Sequence, residues 1–154
     1  MQEAPSQETA RREVSMTRIL MAGCALLALA GSPFAAEMMM KTELSGAQEV
    51  PPVESAATGT ADITYDDASK MLTWTVEYSG LTGPATAAHF HGPAKEGENA
   101  GVAIPIEGME SPMKGSATLT DEQAQQLTDG LLYVNIHTEA NPGGEIRGQV
   151  KAGM

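Results

Sequence analysis

The stretch MLTWTVEY, residues 71–78, constrains this chain more than any other. Leu72, Trp74, Val76 and Tyr78 fall on one side of an extended backbone, and Thr73, Thr75 and Glu77 fall on the other. Side chains that alternate with a period of two, drawn from β-branched and aromatic residues, describe a half-buried strand. TADITY just before it repeats the pattern through Ala61, Ile63 and Tyr65, and DDASK between them is turn chemistry. Residues 59–79 therefore read as a β-hairpin. GVAIPI adds a short segment whose Pro105 suits an edge or a bulge, GSATLT another strand, and LLYVNIHT with GEIRGQV a closing pair. Only TDEQAQQLTDG breaks the series. Thr120 with Gln123 three residues later forms a capping box, and Gly130 ends a helix of about two turns. Short strands separated by frequent turns, with no strand–helix alternation, predict an all-β, antiparallel sandwich or barrel.

Charge and leader narrow the class. Twenty acidic residues against nine basic ones give a formal charge of −11, which disfavours nucleic acid or an anionic membrane surface as a partner. Arg11, Arg12 and Arg18 precede the apolar run ILMAGCALLALAG, followed by Ser32, Pro33, Ala35 and Ala36. This is the order of a secretory signal peptide over residues 1–36, with Met16 an alternative start. The apolar run is shorter than the ~20 residues a spanning helix needs. Cys24 is the only cysteine. Apolar residues continue beyond it to Ala30, which argues against lipid attachment there. A chain cleaved near Ala36 would carry no thiol and no disulfide, and would reside in the periplasm or outside the cell. Residues 37–41, with Met38, Met39 and Met40, read as a flexible N-terminus before the domain at 42–151.

The chain has three histidines, and two of them flank Phe90 in AAHFHGPA. On a strand His89 and His91 share one face, and a buried Phe90 turns both away from the core. In LLYVNIHT the apolar face is Leu132, Val134 and Ile136, leaving Tyr133, Asn135 and His137 on the other. Centring the next hairpin on Asn141 sets Ile136 against Ile146 and Leu132 against Val150, so the apolar faces coincide. The same register sets His137 opposite Glu145 and Asn135 opposite Arg147. The alternatives are three unrelated surface histidines or one metal site.

ELSGAQEVPPV, AAHFHGPA, LYVNIHT and NPGGEIRGQV, in that order over about residues 42–150, resemble the CHRD domain, named after chordin and widespread in secreted bacterial proteins. The resemblance implies a Greek-key β-sandwich similar to copper/zinc superoxide dismutase. It maps His89, His91 and His137 onto a three-histidine copper site, with zinc as the alternative metal. The sequence departs from that pattern in having no histidine for a fourth imidazole and no His-rich loop for a separate zinc site. Such a site would serve metal binding or, in a redox form, the dismutation of superoxide. Glu145 is expected as an acceptor for an imidazole N–H or as a ligand, or else as a surface partner of Arg147. Arg147 is expected to guide an anion, or to form a cross-strand ion pair. Glu49 belongs to a family motif without an assigned role. A metal-free extracellular module that binds a protein partner is the competing function.

Overall fold

The structure is a computed structural model and describes residues 37–151. Eight strands and one helix follow the pattern of the sequence: β1 (Glu37–Ser45), β2 (Thr58–Asp66), β3 (Met71–Ser79), β4 (Ala85–His91), β5 (Val102–Pro105), β6 (Met113–Thr118), α1 (Asp121–Thr128), β7 (Tyr133–Thr138) and β8 (Ile146–Gln149). They form one antiparallel sheet in the order β5-β4-β7-β8-β1-β2-β3-β6, curled into a nearly closed barrel or sandwich. Pro105 lies in β5, an edge strand, where its missing N–H breaks no ladder.

The core is built from the faces that alternation assigned. Ala61, Ile63 and Tyr65 of β2 meet Leu72, Trp74 and Val76 of β3, and all six are buried. Phe90 is fully buried and meets Trp74 edge to face, ring centroids 5.3 Å apart. From β7 and β8 the same core receives Val134, Ile136 and Ile146, each with no exposed surface.

One expectation is corrected. Residues 37–41 are not a flexible leader, since Glu37–Ser45 pairs along its whole length with β2, from Glu37 opposite Asp66 to Ser45 opposite Thr58. The reason is burial. Met40 and Leu44 are 3% and 1% exposed and belong to the core, so a methionine run that looks like a tail has apolar surface to hide. The signal-peptide reading of residues 1–36 lies outside the described residues.

The helix is capped as its sequence requires. Thr120 accepts from the Gln123 backbone N–H at 3.2 Å, and the Gln123 side chain accepts from the Thr120 N–H at 3.0 Å. Gln123 also donates to the Ala103 carbonyl at 3.0 Å, which ties the helix to β5. Thr120→Ala should therefore cost about 1 kcal/mol of stability. Urea denaturation followed by circular dichroism measures it, and an unchanged midpoint would show that the cap carries no weight here.

Candidate metal centre

β4 places Ala88 and Phe90 in the core, so His89 and His91 leave the opposite face. β7 lies beside β4, with Ala87 opposite His137, His89 opposite Asn135 and His91 opposite Tyr133. The β7–β8 register is the one alternation selects: Ile136 opposite Ile146 and Asn135 opposite Arg147. Pairing of β4 with β7 then brings His137 to the other two histidines. One ring nitrogen from each of His89, His91 and His137 lies within 4.8 Å of the other two.

Backbone carbonyls fix two of the ring orientations. His91 Nδ1 lies 3.1 Å from the Ala100 carbonyl and His137 Nδ1 lies 3.0 Å from the Pro142 carbonyl. A carbonyl only accepts, so each Nδ1 carries the hydrogen and each Nε2 keeps its lone pair. The Nδ1 of His89 stands 3.3 Å from His137 Nε2 and donates to it. His91 Nε2 is buried without a protein partner. Three nitrogens bound to one ion at ~2.0–2.1 Å stand about 3.3–3.5 Å apart. The donor set thus fits a metal ion, which would replace the hydrogen shared between His89 and His137.

The site also favours neutral rings. Burial lowers the pKa of all three histidines; the neighbouring imidazoles lower His89 and His91 further, and the carbonyls of Ala100 and Pro142 only partly offset this for His91 and His137. Neutral imidazole is the form that binds metal.

Alternation correctly puts the histidines away from the core, but that face is not open. His91 and His137 are each only 8% exposed: residues 92–101 reach His91 at Ala100, residues 46–53 reach the neighbouring Asn135 through Glu49, and the hairpin turn meets His137 at Pro142. Asn99 donates to the Val50 carbonyl at 2.8 Å, joining the two segments. Beneath them Tyr133 stacks on His91, ring centroids 5.0 Å apart and planes 7° from parallel.

The other sequence candidates sit elsewhere. Glu145 has no exposed surface, and it is outside the three-histidine group. Its carboxylate accepts from Ser55 Oγ at 2.7 Å, from the Thr82 N–H at 2.9 Å, and from the hydroxyls of Thr82 and Thr138 at 2.7 Å each. Burial alone would raise its pKa, but these bonds overcome that and hold it at about 2. Arg147 is 1% exposed, so it presents no guanidinium to an incoming anion. Nor is it found in an ion pair among the described residues; it donates to Asn99 Oδ1 at 3.1 Å and the Glu98 carbonyl at 2.7 Å. Its Cζ lies 3.5 Å from the Tyr133 ring centroid.

Glu49, without a role in the sequence reading, is only 5% exposed and accepts from Asn135 Nδ2 at 3.2 Å. Its carboxyl is raised to about 7, because burial pushes it up by more than the Arg147 charge and the Asn135 bond bring it down. The turn NPGG serves the same layer. Gly144 has φ +129°, and a Cβ there would stand 2.3 Å from Asn135 Oδ1, so only glycine leaves room for that amide.

An all-β domain with three convergent imidazoles under a folded loop layer is the class these observations define. The chain belongs to the CHRD domain family, whose family model matches residues 40–150. No curated protein and no solved structure matches the chain. Among the described residues no helix is long and apolar enough to cross a membrane.

Proposed function

We propose that this CHRD domain binds a single copper ion through His89, His91 and His137, in the periplasm or outside the cell. The observation that carries the reading is the convergence of three ring nitrogens within 4.8 Å, two of the rings locked by carbonyls with Nε2 unprotonated. Copper is favoured over zinc because an all-imidazole site follows the usual order of divalent affinities, in which copper exceeds zinc. The resemblance to CHRD domains implies a sandwich similar to that of copper/zinc superoxide dismutase, and that expectation points to the same metal.

Copper bound there by His89, His91 and His137 would supply a redox centre. The protein's own contribution is to present neutral imidazoles and to exclude water behind them. We read the site as one that holds the ion. With Arg147 enclosed and a net charge of −11, the chain offers little to draw in an anionic substrate such as superoxide.

Titration of the purified protein with Cu(II), followed by electron paramagnetic resonance, tests this. One equivalent should give a signal with nitrogen hyperfine structure, and His89→Ala and His137→Ala should each reduce the affinity at least 100-fold. A wild-type protein without a stoichiometric signal, or variants that bind equally well, would leave the metal-free protein-binding module as the better account.

A further inference from the structure

We propose that Arg147, reaching His91 through the Tyr133 ring, is a positioning residue that biases copper in the three-histidine site toward its monovalent state. The inference rests on the copper reading above and names a feature of the same site. β7 lies between β4 and β8; His91 stands opposite Tyr133 on β4, and Arg147, opposite Asn135 on β8, reaches diagonally so that its guanidinium lies over the Tyr133 ring. The guanidinium carbon is 3.5 Å from the ring centroid and the His91 ring is 5.0 Å from it. The charge therefore stands no more than about 8.5 Å from the imidazole.

Three observations keep that charge effective. Arg147 is 1% exposed, so little solvent screens it. Its partners Glu98 O and Asn99 Oδ1 are neutral, and no carboxylate of the described residues pairs with it. Glu49 is the carboxyl that feels it most clearly, and burial leaves Glu49 partly protonated near neutral pH. A fixed positive charge about 10 Å from the ion, through an effective dielectric of about 20, changes an equilibrium between ions that differ by one charge about tenfold. Its sign favours the ion of lower charge. The stack also gives Tyr133 a purpose. It holds the His91 ring plane against a rigid aromatic face while its hydroxyl accepts from the Ala100 N–H at 3.1 Å and donates to the Ala100 carbonyl at 3.3 Å. That carbonyl also accepts from His91.

The test is the ratio of Cu(II) to Cu(I) affinities, each measured by competition with a chelator of known constant. Arg147→Met should shift the ratio about tenfold toward Cu(II), whereas Arg147→Lys, which keeps the charge, should stay within about threefold of wild type. Asn99→Asp, at an exposed position, sets a carboxylate against the guanidinium and should shift the ratio severalfold in the same direction as Arg147→Met. It also gives up the bond to the Val50 carbonyl, so Asn99→Ser, which loses that bond without adding charge, is its control and should stay near the wild-type ratio. If Arg147→Met does not fold, Asn99→Asp decides alone. Ratios within twofold of wild type in Arg147→Met and Asn99→Asp would overturn the proposal, as would Arg147→Lys shifting as far as Arg147→Met. A wild-type protein that binds no copper removes the site reading as well; one that binds it with unmoved ratios removes this inference alone.

Discussion

Glu145→Ala should lower the stability of the domain by roughly 3–5 kcal/mol, the largest effect expected of any single polar substitution in it. The carboxylate has no exposed surface and no cation beside it; its charge is supported by three hydroxyls and one backbone N–H from Ser55, Thr82 and Thr138. Removing it leaves those donors facing one another across an emptied space. Chemical denaturation at pH 7 measures the loss, and a change below 1 kcal/mol would show that the hydroxyls find other partners. Acid supplies a second readout. The folded carboxyl has its pKa at about 2, below the ordinary 4.5. Its stabilisation is therefore present above pH 4.5 and fades as pH falls from 4.5 toward 2. Glu145→Gln, which cannot titrate, should lack this part of the acid limb.

Glu49→Gln should behave in the opposite sense. Its carboxyl is raised from 4.5 to about 7 in the folded protein. A group whose folded pKa is raised contributes stability below its unfolded pKa and loses it as pH rises through the folded one. Wild type should lose stability relative to Glu49→Gln between pH 4.5 and 8, by on the order of 2 kcal/mol once solvent screening is allowed for. Comparing the two proteins cancels the three histidines, whose lowered pKa values act in the reverse direction as pH falls below 6.5. Parallel profiles across that range would show that Glu49 ionises at an ordinary value. The two carboxyls thus make a pair of contrasting lessons. Glu145 is charged because donors surround it, and Glu49 is held near neutrality because they do not.

Alternation made the strands, the β7–β8 register and the common face of His89 and His91 legible, because each depends on the local pleat. It could not reveal what lies over a face. Tyr133, Asn135 and His137 fall on the side away from the core, yet all three are buried, Tyr133 against Ala100, Asn135 against Glu49 and His137 against the turn at Pro142. That cover is assembled from irregular segments whose contacts are side chain to backbone, and such contacts have no period to read. For the same reason Glu145 reads as a neighbour of His137 on the hairpin, whereas its partners Ser55 and Thr82 lie 90 and 63 residues away. Arg147 was recognisable as a cation near the site but not as an enclosed one. The motif AQEVPP did hold a signal: an acidic residue followed directly by a valine and two prolines is an unusual place for a solvated charge. Met38–Met40 misled because three successive methionines have no alternation of their own, and only pairing with β2 divides them into Met40 inside and Met39 outside.

All six residues of β7 and all four of β8 are buried, so neither strand keeps the free alternate positions that β1, β2 and β3 possess. One side of the hairpin serves the barrel interior and the other serves the polar layer around the histidines. Neutral drift during evolution then has little room along residues 133–138 and 146–149, where a change that suits one neighbour meets a second on the reverse side. Variation should accumulate instead on the solvent-facing rows of the first three strands. A library of random substitutions selected for folding alone, with no demand for metal, would already preserve His137, Asn135 and Arg147, while His89 on β4 would be free to vary.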